Sequence, residues 1–215
     1  VSNLTINTTG VATVAEAVGT DFGTVTITQS GGTTFSSTLG AATLAITDTA
    51  NGQTVSLAGD VTLTTGLTTA NGGSDNYNVS LTGGTNSIAG ATTFNQGGTL
   101  TLGDGADATD FVGGLVATAP SSISAQGTVK ADTGTGVLTL GDSDTGLTVA
   151  GDLLVGGTST GAISLGDATL ADGVTLTAGT GAANQIDLDA VAGTASGAVS
   201  NLTINTTGVA TVAEA

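Results

Sequence analysis

The feature that most limits what this chain can fold into is a duplication. Residues 1–17 read VSNLTINTTGVATVAEA, and residues 199–215 repeat those seventeen letters without a change, 198 residues later. Chance does not supply seventeen identities, and an old duplication would have drifted. The chain therefore reads as one full unit of a tandem array, residues 1–198, followed by the start of the next identical unit, residues 199–215, which is expected to continue the same stack. A fixed internal period is the mark of architectures that stack like upon like.

Within the unit a shorter word recurs, apolar–Thr/Ser–apolar. It appears as Leu4-Thr5-Ile6, Val25-Thr26-Ile27, Leu44-Ala45-Ile46, Val61-Thr62-Leu63, Val79-Ser80-Leu81, Leu100-Thr101-Leu102, Leu138-Thr139-Leu140, Ile163-Ser164-Leu165 and Ile186-Asp187-Leu188. Such alternation predicts half-buried strands, with the apolar pair inward and the middle residue outward. Thr5, Thr26, Thr101 and Thr139 are thus expected outside, and Leu4, Ile6, Ile27, Leu100, Leu102 and Leu140 inside. Gly- and Asn-rich clusters such as Ser30-Gly31-Gly32, Asn51-Gly52 and Gly156-Gly157 separate the words and suit tight corners. Helical periodicity is nearly absent.

Eleven words, counting the weaker Ile123-Ser124-Ala125 and the returning Leu202-Thr203-Ile204, are spaced 15 to 25 residues apart and cross the 198-residue unit in ten steps. A sandwich also has short strands, but it does not repeat one word at one mean step. The sequence predicts an all-β fold, a parallel β-solenoid of about ten coils of roughly 20 residues per unit. Words at Val55, Leu147 and Val174 are then second strands on other faces, and the four Phe fill wider parts of the bore.

The stretch LTLGDSDTGLTVAGDLLVGGTSTGAISLGDATL, residues 138–170, resembles the repeats of very large bacterial surface proteins. These include filamentous-haemagglutinin-type adhesins, autotransporter passengers and other extracellular β-strand-repeat proteins. The resemblance is one of style and runs along most of the chain. It implies a parallel β-solenoid, an extracellular or cell-surface location, and a structural or adhesive role.

Charge narrows the chemistry. Seventeen acids against one base, Lys130, give a net charge of −16, with no His or Cys. Nucleic acid is excluded as a partner, because phosphate contacts require Lys and Arg. No run of about 18 apolar residues suggests insertion into a membrane. The expected partner is the chain itself, through end-to-end units and lateral bundling. Thiolate metal sites and His-based triads are impossible. Pectin-degrading β-helices use basic residues that are missing here, so no enzyme is expected. Glycosidase-like acid pairs exist at Asp142/Asp144 and Asp187/Asp189, but acids among Gly and Ser read as a solvated face, without the burial that raises a general acid.

No cofactor is required on this reading. Ca²⁺ is the one candidate ion, because Asp104, Asp107 and Asp110 fall three apart in a stretch that partly resembles the Gly-Asp nonapeptide of Ca²⁺-binding repeats. The match lacks a tandem copy beside it, and an acidic corner is the plainer account. Eleven acids lie in residues 100–198 against five in residues 1–99, which assigns any ion site to the second half. Outward threonines, as in Thr24-x-Thr26-x-Thr28, Thr62-x-Thr64 and Thr175-x-Thr177, suggest an ice-binding type of ladder, but Ala45 and Asp187 break the series, which leaves β-propensity as the reading. Sequons at Asn3, Asn7, Asn78, Asn201 and Asn205 would accept glycans in a secreted protein.

Overall fold

A computed structural model describes residues 1–71, 73, 75–194 and 197–213. Among them there are 23 strands and no helix, so no helix is long and apolar enough to cross a membrane. Every strand pairing is parallel, and all strands join one continuous sheet wound into a β-solenoid of about nine turns.

The coil has three faces. The first is built by β1 (Ser2–Asn7), β3 (Phe22–Gln29), the later halves of β5 (Leu39–Ile46) and β7 (Val61–Thr69), then β10 (Thr92–Thr93), β13 (Leu115–Ala117), β15 (Leu138–Leu140), β17 (Ile163–Leu165), β20 (Ile186–Leu188) and β23 (Ala210–Val212). The second comprises β2 (Ala12–Val14), β4 (Thr33–Phe35), β6 (Thr54–Leu57), β8 (Asn78–Leu81), β11 (Thr99–Leu102), the first halves of β14 (Ser122–Lys130) and β16 (Leu147–Gly156), then β18 (Ala168–Leu170) and β21 (Val191–Gly193). The third starts from a single bridge, Val18 to Leu39. It continues through the first halves of β5 and β7, β9 (Thr85–Ile88), β12 (Ala108–Phe111), the later halves of β14 and β16, β19 (Thr175–Ala178) and β22 (Asn201–Ile204).

Four long strands each turn a corner without breaking. β5 and β7 run from the third face to the first, with a register shift between Ala41 and Thr43, while β14 and β16 run from the second face to the third, with a shift between Ala125 and Gly127. Gly127 holds φ at +80°, and a Cβ there would collide with the backbone of Asp107 in the coil below. Only glycine takes both the angle and the close approach at no cost.

The inward pairs behave as alternation predicts. Ile27, Leu100, Leu102 and Leu140 are fully buried, as is Ile6 nearly so, while Leu4 is half-buried because a coil covers it on one side alone. Of the outward residues only Thr5 is exposed; Thr26, Thr101 and Thr139 are half-buried. The reason is the stack itself, which puts a neighbouring side chain about 4.8 Å above and below each one.

The coils are longer than the word spacing implies. First-face strands from Leu4 to Ala210 take nine steps over 206 residues, about 23 residues each. The recurring words do not share a face: Leu44 is on the first, Val61 on the third, Val79, Leu100 and Ile123 on the second, and Leu138 on the first again. The duplicated segment follows suit. Ser2–Asn7 lies on the first face and its twin Asn201–Ile204 on the third; Ala12–Val14 lies on the second and its twin Ala210–Val212 on the first. The same word therefore does not land above itself.

Candidate functional site

The acidic residues suggested by the sequence are spread over corners and strands, with Asp110 on β12 and Asp187 on β20. Asp104 and Asp107 meet across one turn, where the Asp104 N–H donates to Asp107 Oδ2 at 2.7 Å. A hydrogen bond that the protonated Asp104 carboxyl donates to Asp107, followed by desolvation and by the charge of Asp107, raises the Asp104 carboxyl above the ordinary carboxylate range. Asp110 stands apart from that turn, on β12 beside Asp132 and Lys130. Its Oδ1 accepts the Asp132 N–H at 3.2 Å, and partial burial is the main cause that raises its carboxyl. Among the described residues no three acidic side chains are gathered so as to hold a metal ion. Asp104 does share a shallow groove with Gln126 and Asp152 of the following coils.

The paired acids have local roles. Asp142 Oδ1 accepts the N–H groups of Asp144 and Thr145, both at 2.9 Å, closing an Asx turn. Asp187 accepts from Gln185 Nε2 at 2.7 Å. None of Asp142, Asp144, Asp187 and Asp189 is buried. Lys130 is ion-paired with Asp132, whose hydrogen bond raises its amine above the ordinary range.

A more general role for the carboxylates and Asn side chains is to cap the coil above. Asp60 accepts the Thr85 N–H at 2.9 Å, Asp152 that of Thr175 at 2.8 Å and Asp167 that of Ala190 at 3.2 Å. Asn3 and Asn78 do the same for Thr24 and Thr99, at 2.9 and 2.8 Å. At a corner the sheet ladder is interrupted, and these oxygens satisfy backbone donors that would otherwise lack a partner.

The regular feature of the exterior is one that reading along the chain missed. On the second face the outward positions of eight successive coils are Thr13, Thr34, Ser56, Ser80, Thr101, Ser124, Thr148 and Thr169, each paired in register with the next. The file of hydroxyls has no gap until Ala192. Ala45 and Asp187, which interrupt the series along the sequence, both belong to the first face. The signal is present in the letters, but only once they are sorted by face. Chemically the file offers a donor-acceptor hydroxyl about every 4.8 Å on a straight line.

No known family matches the chain, and neither does any curated protein or solved structure.

Proposed function

We propose that the protein is a structural subunit of an extracellular fibre or cell-surface layer, built from tandem units of one continuous β-solenoid. The observation that carries this reading is the parallel ladder, which runs unbroken from β1 to β23 and already includes the repeated segment. In such a stack each coil is both product and template. Length and stiffness follow from repetition, with stability summed over neighbouring coils. Residues 1–198 carry sixteen acids and one Lys, fifteen net negative charges that keep rods soluble and apart. Salt at about 0.1 M screens that repulsion beyond about 10 Å. Several carboxylates, Asp60, Asp152 and Asp167 among them, serve as corner caps, which fits a mechanical part. The extracellular placement rests on the resemblance to bacterial surface repeats and on the lack of Cys.

A second reading is favoured by the hydroxyl file: an adhesin stalk or passenger whose second face binds a carbohydrate or a solid surface. Two experiments separate them. A protein of several consecutive units should appear in electron micrographs as rods that lengthen by about 42 Å per unit. Trypsin, whose one site per unit follows Lys130, should leave those rods intact, because hydrogen bonds between coils hold the cut ends. Compact particles, or rods that dissolve on cutting, would overturn the structural role. Retention on insoluble polysaccharide that is lost on replacing Ser80, Thr101 and Ser124 by Leu would support the adhesive one.

A further inference from the structure

The two copies of the seventeen-residue segment have one sequence and two positions. Eight turns carry the place of β1 round to β20, and two further faces, β21 and β22, carry it to its twin. The unit is thus eight and two-thirds turns long. We infer that the C-terminal edge of the stack is a docking surface for the next copy of this unit, and that it seats that copy turned by a third of a revolution. This rests on the tandem solenoid proposed above.

The corners show why the turned position is available. A Ser/Thr-x-Gly corner leads from the first face to the second in the opening coils, where Thr8 Oγ1 accepts the Gly10 N–H at 3.1 Å and Ser30 Oγ that of Gly32 at 3.3 Å. Near the far end the same device leads from the third face to the first: Ser159 Oγ accepts the Gly161 N–H at 3.0 Å. The returning segment brings its own corner, Thr206 with Gly208 at 2.9 Å, and it sits at that second place. There it extends a buried polar ladder. Ser159 Oγ donates to Gly136 O at 2.8 Å, Asn184 Nδ2 to Ser159 O at 2.9 Å, and Thr206 Oγ1 to Asn184 O at 2.6 Å. The last corners of the unit are phased to receive its first corner one face round.

The faces are interchangeable in another respect. The unbroken corner lies between the third and first faces in β5 and β7, and between the second and third in β14 and β16. Turning the unit moves the former kind of corner to the position of the latter, which the fold already accommodates.

Leu202 and Ile204 are 38% and 37% exposed, whereas Leu4 and Ile6 are covered by Val25 and Ile27. The copies of Val25 and Ile27 that continue the repeat supply the same cover. Three units, or 26 turns, bring the pattern back to its starting face after about 125 Å. The hydroxyl file therefore cannot run straight along a fibre. Its first member in the next copy, Thr211, already lies on the first face beside Asp187.

Cysteine pairs read the phase directly, because the chain has no Cys of its own and laterally paired strand residues fall within disulfide reach. The chain carrying Asp187→Cys and Thr211→Cys should oxidise to a crosslinked form in high yield, and the chain carrying Ala192→Cys and Thr211→Cys should not. The reverse result would mean that copies stack without turning, which defeats this inference and leaves the tandem solenoid standing. Failure of both pairs, with Ser164→Cys/Asp187→Cys crosslinking as a mid-stack reference, would mean that the copy does not dock, which defeats both. If the variants fail to fold, image averaging of unmodified multi-unit rods decides the matter. A rise of about 42 Å per unit with a third of a turn is expected, and units related by translation alone would overturn it.

Discussion

The two halves of the bore are filled in different ways. Between residues 22 and 111 several inward pairs join a small polar residue to a large aromatic one: Thr33 with Phe35, Thr92 with Phe94, Thr109 with Phe111. Between residues 115 and 188 the pairs are aliphatic, such as Leu138 with Leu140, Leu147 with Val149 and Ile163 with Leu165. In the mixed pairs a small residue sits beside each ring. Protein interiors pack to near-crystalline density, so a coil that gains a ring must lose bulk beside it. The mixed pairs carry a polar cost. Thr109 Oγ1 is satisfied by Asn86 Nδ2 at 3.0 Å and Thr69 Oγ1 donates to Gln96 Oε1 at 3.0 Å, but Thr33 Oγ1 and Gln96 Nε2 are buried with no partner. The first half buys ring contacts, including the edge-on pair Phe94–Phe111 at 6.2 Å, with hydroxyls that need satisfying.

The largest way to break this comparison is to empty a pair. Phe111→Ala should destabilise by about 3–5 kcal/mol and Leu140→Ala by about 2–5 kcal/mol. Both side chains are fully buried, and the ring removes the larger volume and its partner Phe94. Urea melts of the two variants against the parent protein provide the check. An equal or smaller loss for Phe111 would mean that the coil collapses around the gap, and that pair volume is not fixed.

A finer test converts one mixed pair into the aliphatic kind. Thr92 makes only a long contact from Oγ1 to Gly90 O, at 3.5 Å, so little hydrogen bonding is lost there. Phe94→Leu leaves space, Thr92→Leu overfills, and the two together should compensate. A double-mutant cycle should show a favourable coupling of about 0.5–3 kcal/mol. Additive losses would show that the two positions are packed independently and that the difference between the halves is accidental.

Much of this was readable from sequence, and the division has a physical origin. Inward and outward positions follow from i to i+2 alternation, which needs only adjacent residues, so the sequence alone places Val25, Ile27, Leu100 and Leu102 inward, where they are buried. The face to which a word belongs depends on the corner before it. Corners carry no alternation: Leu39–Ile46 turns one within a single strand, whereas Ile46 and Thr54 are joined through a loop. Words on different faces therefore look like one series in the sequence, which suggests coils of 20 residues in place of 23 and conceals the hydroxyl file. Caps such as Asp152 and Asp167 act on residues one coil away, 23 positions on, a spacing visible only once the coil length is known. For the same reason the sequence groups Asp110 with Asp104 and Asp107, although its neighbours are Asp132 and Lys130.

The smallest expected effect isolates the polar cost at one site. Tyr77 is the only tyrosine. It is fully buried, and its hydroxyl donates to Ala70 O at 2.6 Å. Burial above all, with the charge of Asp48 adding to it, pushes the phenol above its ordinary value, which is about 10. The folded chain thus keeps a proton that the unfolded chain releases. For an acid raised in this way the contribution to stability is complete below pH of about 10 and is lost as pH rises beyond it. Lys130, raised by its bond to Asp132, weakens in the same direction, but it is present in both proteins when Tyr77→Phe is compared with the parent. At neutral pH the variant should be less stable by about 0.5–1.5 kcal/mol, the worth of one hydrogen bond. Above pH of about 10 the parent should lose stability faster, and the gap should close. Urea midpoints over that range test the slope, and the phenolate absorbance tests its cause. Phenolate that forms at the ordinary pH while the fold persists would show that the ring is not held neutral in the bore, and would remove the polar cost assigned to this part of the first half.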